Sequence, residues 1–342
     1  MPEAGLPEVG LAEAGTAEPV LDRLAIVGLG LIGSSIARGA RQFGLCRTIV
    51  AIDRDEAVRA RVRDLGLADS VTDDAAEGVA GADLVILCVP VGAAGAVAQA
   101  IRGRMKPGSV LSDVGSVKGA VVAAVSPHLS EGVVFIPAHP VAGTEYSGPD
   151  AGFSTLFSGR WCILTPPEGA DEAAVERVRA LWQGLGAIVE TMSAEHHDLV
   201  LAITSHVPHL IAYNIVGTAA DLETVTQSEV IKFSAGGFRD FTRIAASDPT
   251  MWRDVFLNNK DAVLEMLGRF NEDLAALARA IRWGDGDALH DLFTRTRAIR
   301  RGIVAMGQET AEPDFGRARP APEPQRAPEP QEAPGSREAR QA

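Results

Sequence analysis

The sequence predicts an α/β protein, with a mainly parallel sheet domain followed by an all-helical one. Three observations carry this. From Leu24 to Val189, short β-branched runs alternate with Ala-rich stretches of helix length, the pattern of βαβ units. From Met192 to about Ala305 strand signals vanish and helical spacing continues. A glycine triplet, Gly28-x-Gly30-x-x-Gly33, lies between the first strand candidate and the first helix candidate.

The strand candidates are LAIVGL (24–29), TIVAID (48–53), ADLVILCV (82–89), SVLSDV (109–114), VVFIPA (133–138), WCILTP (161–166) and AIVET (187–191). Several are apolar throughout, as expected of strands covered on both faces. Helical segments follow, among them HHDLVLAITSHVPHLIAYNIVG and WRDVFLNNKDAVLEMLGRFNEDLAALARAI. The organisation expected is a disordered N-terminal extension (1–20), a sheet domain (21–191), a helical domain (192–305) and a disordered Pro-rich tail (306–342).

Of 342 residues, 46% are hydrophobic and the net charge is −13, from 32 bases and 45 acids. Residues 1–20 hold four glutamates and no base, and the tail holds seven acids against five arginines, so the middle carries −7. An acidic balance argues against nucleic acid, whose phosphates need a basic face. Cys46, Cys88 and Cys162 have neither disulfide nor metal spacing, which fits a reducing cytoplasm. No apolar run is expected to approach the roughly 18 residues of a membrane span, and no secretion signal is expected.

In GLGLIG (28–33) the missing side chains let the turn close and the backbone approach a pyrophosphate at a helix N-terminus. Gly28, Gly30, Leu31, Ile32 and Gly33 are therefore cofactor-loop candidates. Asp53 lies twenty residues past Gly33 at a strand end, where a carboxylate accepts ribose hydroxyls and repels an extra phosphate. The expectation is a Rossmann-type domain binding NAD, with the adjacent Arg54 tolerating some NADP. Val89 and Pro90 come at the end of another strand candidate, where they either line the same crevice at the strand carboxyl ends or form a turn that ends the strand.

Three further segments bring chemistry. His139 follows a strand and precedes a Pro/Gly-rich loop, and its intrinsic pKa suits removal of a hydroxyl proton. Ser116 follows another strand in SDVGSVKG (112–119), where it serves either as a hydrogen-bonding partner or as a helix cap. In the helical part, His206 and His209 flank a helix start near Pro208, and Arg239 and Arg243 sit in a Gly-rich, aromatic loop suited to carboxylate capture. A metal is not expected, since the two histidines find no third ligand at a recognisable spacing.

The ordered set GLGLIG (28–33), DVGSVK (113–118), HPVAGTE (139–145), SHVPH (205–209) and GGFRDFTRIA (236–245) resembles the prephenate/arogenate dehydrogenase family over residues 21–305. The resemblance implies oxidation of the cyclohexadienol ring of prephenate or arogenate with NAD, then loss of the ring carboxylate as carbon dioxide. It implies that His139 takes the hydroxyl proton, Ser116 orients that histidine and Arg243 pairs with the ring carboxylate. Ser205, His209, Thr144 and Glu145 would line the substrate, and Trp252 would wall the pocket, from across a dimer interface in one version. It also implies a cytoplasmic homodimer joined through the helical domain, with tyrosine acting as a competitive inhibitor at the substrate pocket. Arg243, Arg239 and protonatable histidines would supply the local positive charge. Gln227 and Glu229 are candidates for reading keto acid against amine. The rival expectations are another two-domain hydroxyacid or imine reductase, and a silent NAD-binding sensor.

Overall fold

A computed structural model describes residues 18–144, 146–226 and 236–305. Glu145, Gln227, Glu229 and nearly all of both tails lie outside the described residues. The chain opens with β1 (Leu21–Val27), α1 (Leu31–Gln42), β2 (Cys46–Ile52), α2 (Glu56–Asp64), β3 (Ser70–Thr72), α3 (Ala75–Gly78) and β4 (Leu84–Leu87). It continues with α4 (Ala94–Ala100), β5 (Val110–Asp113), α5 (Gly119–Val125) and β6 (Val134–Phe135). These strands form one parallel sheet in the order β3-β2-β1-β4-β5-β6. Leu24, Ala25 and Ile26 of β1 and all four residues of β4 are buried, because helices cover both faces. Strand order reverses between β1 and β4, and ligands of such sheets bind outside the carboxyl ends at that point.

A second sheet follows, built from β7 (Ala138–Pro140), β8 (Trp161–Leu164) and β9 (Ile188–Thr191), with α6 (Glu172–Gly184) between the last two. Here β7 runs antiparallel to β8, and β8 parallel to β9. The sequence suggested one strand over 133–138, but the chain changes sheets inside that run. The Ile136 N–H still bonds the Leu111 carbonyl at 2.9 Å. Pro137 has no N–H and cannot extend the ladder, and the Ala138 N–H turns to the Asp113 carboxylate at 3.3 Å. His139 therefore stands in the middle strand position of β7, opposite Ile163, rather than after a strand. The short β3 also escaped the sequence pattern.

The remaining described chain is helical: α7 (Ala194–Leu201), a π turn (Ala202–His206), α8 (Val207–Thr226), α9 (Gly236–Thr242), α10 (Pro249–Asn258), α11 (Lys260–Trp283) and α12 (Gly286–Ala305). The helix start expected near Pro208 is corrected, since α7, the π turn and α8 run on as one rod. Pro208 lacks the N–H that would bond the carbonyl four residues back, and the wider turn accommodates that loss. The expectation about apolar runs is corrected too. Ala194–Leu222 is 29 residues with hydropathy 1.5, long and apolar enough by those two measures to cross a membrane. Its histidines interrupt the apolar run in sequence, yet His197 and His206 are fully buried within the protein. Finally, α10 places Trp252 and Val255 in one core with Val91, Val117 and Val121, so the helical part packs on the turns that leave β4 and β5.

Candidate active site

The glycine loop follows β1 with each glycine under a different constraint. Gly28 has φ +95°, and a Cβ there would lie 2.4 Å from the Cys88 carbonyl oxygen. At Gly33 a Cβ would meet the Gly28 carbonyl oxygen at 2.0 Å, so α1 packs against the loop only without a side chain. Around Gly30 nothing lies within 4 Å of that position. Gly30 also occupies the N-cap of α1 with no side chain closing it, so the first amides of the helix face open space. That is the cradle a pyrophosphate requires, and the residues present fit NAD. Leu31 and Ile32 pack inward behind the loop, and Val89 lies beside Gly28 with Pro90 exposed next to it.

Asp53 closes the far side. Its Oδ2 accepts the Leu29 N–H at 2.9 Å and its Oδ1 the Asp55 N–H at 3.0 Å, tying β2 to the glycine loop. Arg54 is exposed. The buried arginine is Arg59, which sequence reasoning missed; it donates to the Asp53 carbonyl at 2.8 Å and pairs with Glu56 and Asp73. Its guanidinium is already committed to carboxylates.

His139 is buried, and its Nδ1 lies 2.8 Å from Nε2 of His197. His197 in turn places Nδ1 2.8 Å from Asp198 Oδ1. The ring partner of His139 is thus His197 rather than Ser116, which corrects the orienting role expected of the serine. Ser116 is half-buried, and its backbone lies against His206, favouring that ring's protonated form. Burial holds His139 well below the ordinary imidazole pKa, and His197, Lys118 and His206 push the same way. Burial also lowers His197, opposed by Asp198. Asp198 is pushed up by burial, but hydrogen bonds from His197 and from the Lys118 and Gly119 N–H groups outweigh that and hold it low.

Beneath His139 lies a buried ion pair. Lys118 is fully buried, and its Nζ donates to Asp113 Oδ2 at 2.5 Å and to the Ala138 carbonyl at 2.7 Å. Asp113 also accepts the Gly115 N–H at 2.8 Å. One lysine therefore fastens the end of β5 to the backbone beside His139. Both residues stand inside the quoted DVGSVK segment, where an ionisable pair among apolar neighbours was a readable signal without an assigned role. His197 and Asp198 carried a weaker signal, their adjacency in AEHHDLVL.

The helical side continues the constellation. The Asn259 side-chain amide donates to the Asp198 carbonyl at 2.8 Å and lies 3.1 Å from His206 Nδ1. His209 donates from Nδ1 to the Ser205 carbonyl at 2.8 Å and stacks on Trp252, with ring centroids 3.6 Å apart. Trp252 is buried against His206 and His209 of its own chain. Burial lowers His209, and the nearby Arg243 charge lowers it further. Arg239 does not join them: it is 80% exposed beside Asp240. The histidines, held low by burial, add no positive charge either, so Arg243 carries it at this end. Thr144 is half-buried in the loop after β7, its hydroxyl accepting the Tyr146 N–H at 3.3 Å.

The chain's similarities to known proteins agree with this geometry. Residues 36–191 match the family described as prephenate dehydrogenase, nucleotide-binding domain, and residues 193–295 match prephenate dehydrogenase, dimerization domain. The first match begins past Gly33, so the glycine loop stands on its own geometry. A cyclohexadienyl dehydrogenase of Zymomonas mobilis is 44% identical over 83% of this chain and 97% of its own length. A prephenate dehydrogenase of Bacillus subtilis is 33% identical over 86% of this chain and 79% of its own. Among solved structures, prephenate dehydrogenase from A. aeolicus, in complex with hydroxyphenyl propionate and NAD+, has a TM-score of 0.77 at 33% identity, covering 82% of this chain and 98% of that one. Synechocystis arogenate dehydrogenase has a TM-score of 0.70 at 26% identity, covering 82% and 99%. A Rossmann-type domain with an open glycine cradle, joined to a helical domain and matched along nearly its whole described length, places this chain in the prephenate dehydrogenase family.

Proposed function

We propose that this protein is an NAD-dependent dehydrogenase that oxidatively decarboxylates prephenate to hydroxyphenylpyruvate, and arogenate to tyrosine. NAD, when bound at the glycine loop, accepts a hydride from the ring carbon bearing the hydroxyl. The observation that carries the reading is His139, an uncharged buried imidazole in the strand beside the carboxyl end of β5. An imidazole whose pKa is lowered stays unprotonated at neutral pH and is ready to take a hydroxyl proton. Arg243 is the group we assign to the ring carboxylate, holding the ring in orientation until carbon dioxide leaves. His209, Ser205, Trp252 and Thr144 are assigned to the substrate side-chain end, and Glu145, outside the described residues, is assigned there from the sequence alone. Ser116 is assigned to the reacting groups, at the turn that leaves β5.

The use of both substrates is supported by the Zymomonas relative, named a cyclohexadienyl dehydrogenase. Tyrosine, resembling both products, is assigned as a competitive inhibitor in the same pocket. Exposed apolar side chains on the helical part, including Leu264, Ile281, Trp283 and Phe293, support a homodimer formed there. Three free thiols are in keeping with a cytoplasmic location, and we keep residue 191 as the working boundary between the two units. No role with nucleic acid or membrane is assigned.

Catalytic efficiency measured for prephenate and arogenate, each with NAD and NADP, tests the substrate and cofactor assignment. Turnover with neither substrate would refute it. His139→Asn is expected to abolish turnover by about 100-fold or more while NAD affinity changes little. A variant turning over like the wild type would remove His139 from the chemistry.

A further inference from the structure

Among the ionisable residues of the site that the reaction as written does not use, His197 and Asp198 stand in line behind His139. We infer that His197, backed by Asp198, is a positioning residue that fixes His139 as the Nδ1–H tautomer and so leaves Nε2 as the basic nitrogen. The inference rests on the reading of His139 as the base, and deepens it.

The tautomers follow from the donors and acceptors in order. Asp198 is ionised, and its two oxygens accept the Lys118 and Gly119 N–H groups, each at 2.8 Å. A carboxylate can only accept, so the 2.8 Å contact to His197 Nδ1 requires a proton on that nitrogen. Burial keeps His197 neutral, so its Nε2 carries a lone pair. The 2.8 Å contact between that lone pair and His139 Nδ1 then requires the proton on His139 Nδ1. Neutral His139 has one ring proton, so its Nε2 is a free lone pair. The opposite tautomer would bring two lone pairs together in a buried place.

Every charged or titratable group packed on His139 is consistent with this. Lys118 and Asp113 form their own pair beneath it, Cys162 on β8 is a buried thiol held protonated, and His206 is held neutral. Only the His197 ring makes a hydrogen bond to the His139 ring among the described residues. When His139 Nε2 takes the ring hydroxyl proton, both ring nitrogens carry protons, and the Nδ1–H still points at the His197 lone pair. Asp198 then stabilises the positive charge through His197. Once the ring carboxylate leaves as carbon dioxide, its bonding pair aromatises the ring and His139 returns the proton to the phenolate oxygen. No net proton is taken up by the protein.

The test combines one spectrum of the wild-type protein with two variants. In substrate-free protein labelled with 15N-histidine, the His139 signals, assigned by their loss in His139→Asn, are expected to show a protonated Nδ1 and an unprotonated Nε2. A protonated Nε2 overturns the inference whatever the variants do. His197→Leu is expected to lower kcat about 100-fold or more, with KM for prephenate and Kd for NAD within about twofold, and to convert His139 to the Nε2–H form. His197→Gln offers a carbonyl oxygen to the His139 Nδ1–H and is expected to restore that tautomer and recover at least about tenfold of the lost kcat, one hydrogen bond's worth. Wild-type kcat in His197→Leu, with His139→Asn inactive, overturns the role of His197 alone. An active His139→Asn overturns the reading of the base instead.

Discussion

Replacing Lys118 by Met strands a buried carboxylate, and the size of the effect can be worked from the contacts. The methionine fills the same channel but removes both Nζ hydrogen bonds, at 2.5 Å to Asp113 and 2.7 Å to the Ala138 carbonyl. Breaking one partner out of a buried pair costs about 3–5 kcal/mol. Asp113 keeps the Gly115 N–H at 2.8 Å, which places the expected loss near the lower bound, about 3 kcal/mol. The expected fall in melting midpoint is then about 6–12 °C. The double variant Lys118→Met with Asp113→Asn removes the stranded charge while an amide oxygen still accepts from Gly115. It should therefore be more stable than the single variant by about 1–2 kcal/mol. Urea denaturation at one fixed protein concentration reads both numbers. A single variant within about 1 kcal/mol of wild type, or a double variant no more stable than the single, would refute the reasoning.

Three other outcomes are expected. Asp53→Ser should raise the NADP-to-NAD ratio of kcat/KM by about tenfold or more, the worth of one hydrogen bond to a charged group; an unchanged ratio would detach Asp53 from cofactor choice. Arg243→Gln should chiefly raise KM for prephenate, and an effect confined to kcat would contradict its assignment to a carboxylate. The third concerns pH. His206 is lowered from 6.5 to about 4 by burial, so between those values the unfolded chain binds the extra proton and stability falls as pH falls. His206→Gln should flatten stability against pH across that window, and an unaltered slope would show that the burden lies elsewhere.

The α/β order, the glycine loop and the helical half were legible because each rests on local pattern. Gly28, Gly30 and Gly33 announced a tight turn; Gly28 and Gly33 stand where no side chain fits, against the Cys88 and Gly28 oxygens, while Gly30 leaves open space. The sheet change at Pro137 was not legible: a run of apolar residues reads as one strand, and only the missing N–H and the waiting Asp113 carboxylate divide it. The helix through Pro208 was misread because a proline signals a boundary locally, while packing on both sides keeps the rod continuous. The partnership of His139 with His197 spans 58 residues, a separation at which no spacing rule operates. Arg239 and Arg243 are both exposed, and the family resemblance rather than spacing set Arg243 apart. In the structure their neighbours separate them, Asp240 beside Arg239 and His209 near Arg243.

Asp198 belongs to the first helix after the sheet domain, yet its oxygens are spent on the backbone that opens α5, and its carbonyl on Asn259. This makes the enzyme poorly modular. A chimera joining this sheet domain to a helical domain from another dehydrogenase family would keep its nucleotide cradle and still lack a correctly protonated base. Recombination at the domain junction is therefore constrained by chemistry as well as by packing, and the two halves of the chain must change together.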